Sequence, residues 1–509
     1  MAAQRGARRS QGTAGGPGGA GRRDAGPAGP GRRAAAGRRP AAGRGPGGGR
    51  ADDPPRRTAY DVLAAVHDRE AYANLLLPRL LTERSISGRD AALATELTYG
   101  TLRGLGTYDA VLAACSDRPL DKLDPPVLHV LRLGTHQLLA TRVGAHAAVA
   151  TSVDLVKAVA GPRVSGYVNA VLRRVSTRDL DGWLPIVAPA PDADPDGFLA
   201  VRYSYPRWIV RAYRGALGAA AGAELAAALA AGNERPRVTM AAFPAGPGRD
   251  AVLPAGAQPC RWSPYGFTLP GGDPGELVAD GRAAVQDEGS QLAAIALASV
   301  PAGGGDGAWL DMCAGPGGKA RLLYGLAATR GARLVAADIR PHRAALVASA
   351  LARPGQAGSG PPAASGHAVV VADGQRPPWR DGAFDRVLVD VPCSGLGALR
   401  RRPEARWRKS ESDLAALAEP QRRLLRSAIA TCRPGGVVGY VTCSPLPAET
   451  YDVVTDVVRS VGDVEILDTP AILPNVPDLR SPSPRAAQLW PHRHGTDAIF
   501  IALLRRGTQ

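Results

Sequence analysis

The sequence predicts a multidomain chain in which an all-helical domain precedes an α/β domain built on a parallel sheet. Two patterns predict this. Between residues 54 and 178 apolar residues recur at i, i+3, i+4 and i+7, the spacing of helix faces turned to a core. Beyond residue 283, short and continuously apolar runs alternate with helical segments, as strands covered on both faces by helices require. A length of 509 residues agrees, because a single hydrophobic core does not extend that far.

Residues 1–53 belong to neither pattern. The first fifty hold eleven Arg against one Asp, a net +10 of the chain's +16, in a background of Gly, Ala and Pro. Such a segment buries too little apolar surface to offset the entropy of ordering, so disorder is expected. It reads equally as a low-complexity tail or as an electrostatic arm for RNA. No apolar run approaches the roughly 20 residues of a membrane span, and the N-terminus lacks the apolar core of a secretory signal. The six cysteines are scattered without a CxxC pair, which argues against disulfides and structural zinc. A cytoplasmic location without membrane or metal is expected.

The helical region runs through TAYDVLAAVHD, RDAALATELTYGTLRGLGTYDAVLAAC, PPVLHVLRLGTHQLLA and HAAVATSVDLVKAVA. Pro125 and Pro126 suit a first helical turn, and Gly144 and Gly161 suit helix ends. Residues 179–282 read as linker helices, including the alanine-rich WIVRAYRGALGAAAGAELAAALAAGN, and a small strand-rich piece carrying VTMAAF and GFTLP. In residues 283–507, AWLDMC, ARLVAAD, HAVVVAD, FDRVLVD and GGVVGYVT are the predicted parallel strands. Ligands of such sheets bind outside the carboxyl ends of the strands. Those ends here read Asp311, Asp338, Asp373, Asp390 and Thr442–Cys443, more convergence than packing requires.

The glycine-rich turn AGPGGKA after the first strand is not a P-loop, since Cys313 stands at the first glycine position and Ala320 follows the lysine. Asp338 ends the second strand, where a carboxylate can hold ribose hydroxyls. Turn and acid together allow NAD as well as S-adenosylmethionine; Asp373 favours a compact adenosine-bearing ligand.

DMCAGPGGKA resembles the cofactor loop DACAAPGGKT of the RNA (cytosine-C5) methyltransferases. DVPCSGLG with RRRPEARW resembles their DAPCSGTG…RRxPdxxW segment, and VTCSP their TCS motif. RDAALATELTYGTLR, LRLGTHQLLA and SGYVNAVLRRV follow the order of a NusB-like RNA-binding domain, which points to the RsmB (Sun/Fmu) branch. The resemblance implies an all-α NusB-like domain joined to a Rossmann-like, S-adenosyl-L-methionine-dependent methyltransferase domain acting on 16S rRNA. By the same resemblance Cys313, Ala314, Gly315, Pro316, Gly317, Gly318, Lys319, Asp338, Arg343, Asp373 and Asp390 hold the cofactor. Met312, Gly315 and Ala320 depart from the common residues, and PLPAET is a loose form of the usual PEEN.

Cytosine C5 is a poor nucleophile until C6 is attacked, and a thiolate suits that attack because it is soft and also leaves well. The resemblance makes Cys443 the nucleophile and Cys393 the thiol that assists release, with Asp390 stabilising charge at the N3/N4 edge of the base. The other four cysteines are read as packing residues. Residues 399–409, LRRRPEARWRK, place Arg400, Arg401, Arg402, Arg406, Trp407 and Arg408 close behind Cys393, a composition suited to single-stranded RNA. Two alternatives stay open: a tRNA methyltransferase, and a non-catalytic RNA-binding or antitermination factor. No obligate protein partner is implied.

Overall fold

The computed structural model describes residues 53–271, 274–301, 303–352 and 366–508. The expected disorder of the arginine-rich tail concerns residues outside this set, Asp53 excepted.

The helical domain follows from its apolar spacing. Helices Pro54–Asp68, Gly88–Arg103, Leu105–Cys115, Pro125–Ala140, Ala145–Ala160 and Ser165–Val175 pack around one core that includes Leu63, Leu97, Leu112, Leu131, Val156 and Leu172. Asp53 caps the first helix by accepting from the Arg56 amide, with Pro54 at the first helical position, where a missing N–H costs nothing. Pro125 opens its helix in the same way. Gly144 precedes a helix and Gly161 ends it with φ +88°, a left-handed conformation that favours glycine.

The alanine-rich stretch is two helices rather than one, Arg207–Leu217 and Ala221–Ala231, broken where Gly218 turns to φ +56°. The small piece is an antiparallel four-stranded sheet of β1 (Thr239–Ala242), β2 (Gln258–Pro259), β3 (Gly266–Thr268) and β4 (Ala283–Val285), in the order β2-β3-β1-β4.

The large sheet holds β5 (Ala308–Asp311), β6 (Arg333–Asp338), β7 (His367–Val371), β8 (Phe384–Asp390), β9 (Cys432–Thr442), β10 (Val464–Ile466), β11 (Ala487–Gln488) and β12 (Phe500–Arg506). Its order is β10-β12-β9-β8-β5-β6-β7, with β11 on β12. The five predicted strands are present and parallel. The sheet as a whole is mixed, because β12 runs antiparallel to β9 and carries β10 and β11. The direction of this added strand is not written in FIALLRR, whose apolar run suits either direction; the β9 register decides it.

Alternating residues serve two cores. Trp309 and Leu388 pack with helices Glu288–Ser299 and Gly318–Ala328 on one face. Leu310, Val387 and Val389 pack with Glu411–Thr431 and Tyr451–Val461 on the other. Strand order reverses between β5 and β8, since β6 and β7 lie to one side and β9 to the other. That switch point opens a crevice at the carboxyl ends, where the acids and thiols stand.

Candidate active site at the carboxyl edge of the sheet

The loop after β5 turns sharply into helix Gly318–Ala328, whose N-cap Gly317 lies at φ +117° and makes no side-chain cap among the described residues. Asp338, at the end of β6, is nearly buried and grips this loop: its Oδ2 accepts from the Gly315 amide at 3.1 Å and its Oδ1 from the Arg340 amide at 2.9 Å. Arg343 closes the arrangement, with Nε 3.5 Å from Asp338 Oδ2 and its guanidinium donating to the Gly315 carbonyl. A Cβ on Gly315 would stand 2.4 Å from Asp338 Oδ2 and 2.8 Å from Arg343 Nε, so glycine is what lets both side chains close on the loop. Asp373, half-buried two residues beyond β7, accepts from the Gln375 amide at 2.9 Å.

Lys319 reaches across the switch point. Its Nζ donates to Asp390 Oδ2 at 2.8 Å and to Ser290 Oγ at 3.3 Å. Burial pulls this ammonium down, but the Asp390 carboxylate beside it more than compensates and the pKa rises. Asp311 ends β5 fully buried; neither carboxylate oxygen makes a hydrogen bond of good geometry among the described residues. Burial, reinforced by Asp390, pushes this acid up to about 7.

The thiols arrive from adjacent parallel strands. The Val391 amide donates to the Val441 carbonyl at 3.0 Å, so the chain after β8 runs beside the end of β9. The Gly397 amide then donates to the Cys443 carbonyl at 2.8 Å, while the Ala498 amide donates to the Gly397 carbonyl at 2.9 Å. A Cβ on Gly397 would lie 2.0 Å from the Ala498 carbonyl oxygen, so only glycine permits this approach. The result is a Cys393 Sγ to Cys443 Sγ separation of 3.3 Å, with both residues partly exposed. The hydrogen bond with Cys443 pushes the Cys393 thiol well up, with burial and the Cys443, Glu449 and Asp390 charges adding to it.

The model of the 16S rRNA methyltransferase RsmB/F family matches residues 299–505, and that of the NusB family matches residues 53–177. A Mycobacterium tuberculosis (strain H37Rv) protein named as a methyltransferase is 51% identical over 90% of this chain and 97% of its own. The ribosomal RNA small subunit methyltransferase B of Sodalis glossinidius is 31% identical, covering 89% of this chain and 98% of its own. The chain belongs to the RsmB/F family. The solved crystal structure of PH0851 shares the fold at a TM-score of 0.67 and 20% identity, over 89% of this chain and 99% of that one.

An RsmB/F protein is an S-adenosylmethionine-dependent RNA methyltransferase, and the residues here fit that cofactor. It carries a sulfonium and an ammonium, and a fully buried acid that pairs with no cation directly among the described residues, Asp311, suits a site that receives a cation. Asp338 and Asp373, at the ends of neighbouring strands, supply acceptors for hydroxyl and amine donors.

The structure corrects the reading of residues 399–409 as an RNA-facing run. Arg400 is buried between Asp497 Oδ1 (2.5 Å) and Asp287 Oδ1 (2.8 Å), and Arg401 bridges the same two carboxylates at 2.9 and 2.7 Å. Arg406 has no exposure; it donates to the carbonyls of Ser204 and Gly232 and to Asn233 Oδ1, and lies 3.9 Å from the Tyr205 ring centre. Arg408 donates to the carbonyls of Val66, Glu70 and Ala71 in the helical domain. These four cations are committed to holding the protein together, because buried charges require partners. Arg402 and Trp407 alone of the six are exposed, Arg402 lying 5.7 Å from the Tyr72 ring centre.

Three residues of the edge escaped the sequence reading. Asp311 was recognised as a strand end but given no role. Ser290 lies in VQDEGSQL, a stretch that carries the family resemblance, but was given no role. Glu449, buried beside the Cys393 loop, sits in PLPAET, where its distance from a family motif was the available signal. Among the described residues no helix is long and apolar enough to cross a membrane.

Proposed function

We propose that the protein methylates C5 of a cytosine in 16S rRNA through a covalent adduct between Cys443 and C6 of the base. The observation that carries this reading is the pair of thiols 3.3 Å apart at neighbouring strand ends, beside the Lys319–Asp390 ion pair. Cys443 adds through its thiolate to C6, and the displaced electron pair makes C5 nucleophilic. Asp390, held by Lys319, would accept from the N4 amino group and from N3 as N3 takes a proton from solvent, so that attack at C6 leaves the ring neutral. S-adenosylmethionine, when bound, supplies an electrophilic methyl group. Loss of the C5 proton then reforms the C5–C6 double bond, breaks the C6–Sγ bond and returns the pair to Cys443.

Cys393 serves that last step. In the resting site its thiol is held protonated, chiefly by the hydrogen bond with Cys443. Once Cys443 is a thioether, that cause and the Cys443 charge are gone; Cys393 then gives its proton to solvent and, as thiolate, accepts the C5 proton. The exposed Arg402 and Trp407 offer a phosphate contact and a stacking surface for the RNA. The test is methyl transfer to 16S rRNA from a strain lacking the gene, with tRNA as the competing substrate. Label at C5 of one cytosine in 16S rRNA is expected; label in tRNA alone would replace the proposed substrate.

A further inference from the structure

Glu449 poses a problem that the site as described does not solve. It belongs to the 3-10 turn Pro447–Glu449, just beyond Cys443, and has no exposed surface. Burying a carboxylate is costly unless a cation or several donors compensate. Its bonds are to neutral donors: Oε1 accepts from the Ser394 amide at 2.7 Å and from Gln421 Nε2 at 3.2 Å, and Oε2 accepts from Ser394 Oγ at 2.5 Å. Gln421 Nε2 also donates to the Pro392 carbonyl at 2.9 Å. The residues on both sides of Cys393 are thus tied, directly or through Gln421, to a side chain carried by the Cys443 loop. Ser394 Oγ further meets Ser444 Oγ at 3.3 Å, joining the two residues that follow the thiols. The Tyr440 hydroxyl donates to the Glu449 carbonyl at 2.8 Å and fixes the turn itself.

A carboxylate is the side chain that accepts from an amide, a hydroxyl and a carboxamide together while demanding no acceptor in return. Mere packing could be served by an apolar residue without the desolvation cost. The cost is understandable if the position of Cys393 against Cys443 is what matters. We propose that Glu449 is a positioning residue that clamps Ser394, and through it holds Cys393 at the distance from Cys443 that release of the methylated base requires. This rests on the covalent-adduct reading above. Glu449 has no exposed surface and acts through Ser394. Its charge is also among the causes that raise the Cys393 thiol.

The experiment compares full-length Glu449→Gln, Ser394→Ala and Cys393→Ala, with S-adenosylmethionine and 16S rRNA. An amide cannot accept from all three donors, so Glu449→Gln should lower steady-state turnover at least tenfold while the first methyl transfer proceeds. Enzyme should then accumulate as a denaturation-resistant adduct with methylated RNA. Ser394→Ala removes one of the bonds and should show the same adduct with a smaller loss. The double variant should be no worse than Glu449→Gln, because both act on one clamp. A folded Glu449→Gln with normal turnover and no adduct, while Cys393→Ala does trap one, overturns the proposal. If Glu449→Gln does not fold, Ser394→Ala decides: adduct supports the clamp, and its absence overturns it. If Cys393→Ala also gives no adduct, the covalent reading fails and the clamp with it.

Discussion

Cys393 Sγ stands 3.3 Å from Cys443 Sγ, across the ends of two hydrogen-bonded parallel strands. Because the bond to Cys443 is the foremost cause of the raised Cys393 pKa, removing that partner lowers it. In Cys443→Ala, alkylation of Cys393 by iodoacetamide should therefore rise at lower pH than in wild type. Peptide mass spectrometry across a pH series reads this directly; superimposable profiles would mean that the two thiols do not share a proton.

Asp311 carries a stability cost that depends on pH. Its acid is raised from 3.8 to about 7 in the fold, so the native state holds a proton that the unfolded chain gives up. Stability relative to an Asn variant is greatest below about pH 4 and is lost as pH rises to about 7. Cofactor-free Asp311→Asn should gain up to about 4 kcal/mol over wild type by pH 8. Urea midpoints measured from pH 4 to 8 check this, and parallel curves would show that Asp311 is not held protonated.

Asp338 joins the glycine-rich loop after β5 to the end of β6. Asp338→Ala should weaken S-adenosylmethionine binding by roughly 1.5–3 kcal/mol, the scale of a charge-assisted hydrogen bond. Calorimetry on the folded variant is the check, and unchanged affinity would remove Asp338 from the cofactor site.

The arginines after Cys393 should divide sharply. Arg401→Ala leaves Asp287 and Asp497, both nearly buried, with one cation fewer, and should cost about 3–5 kcal/mol of stability. Arg402→Gln should leave stability unchanged and flatten the salt dependence of RNA binding by about 0.7 in log–log slope, one phosphate contact on single-stranded RNA. Denaturant titration and binding at several salt concentrations separate the two effects.

What was legible in the sequence was what local pattern records. FDRVLVD and GGVVGYVT announce buried strands by unbroken apolar character, and the acids and thiols at their ends follow from strand length alone. Those are the residues that the structure gathers at one edge. The arginine run was misread because its partners are remote in sequence: Asp287 lies 114 residues before Arg401, and the Gly232 carbonyl 174 residues before Arg406. Composition registers their charge and not their burial. Glu449 was passed over for the same reason, since its grip on Ser394 spans 55 residues. The direction of β12 is likewise set by pairing with β9, which FIALLRR does not encode.

The central claim is that the two thiols divide one reaction between them, and denaturing electrophoresis of the two alanine variants after incubation with RNA and S-adenosylmethionine tests it most directly. Cys393→Ala should give a slowly migrating protein–RNA band that requires the cofactor, because attack and methyl transfer proceed while release fails. Cys443→Ala and the double variant should give none, because no bond to C6 forms. A band in Cys443→Ala would show the roles to be reversed. Folded, cofactor-binding variants with no band in either would contradict the covalent mechanism.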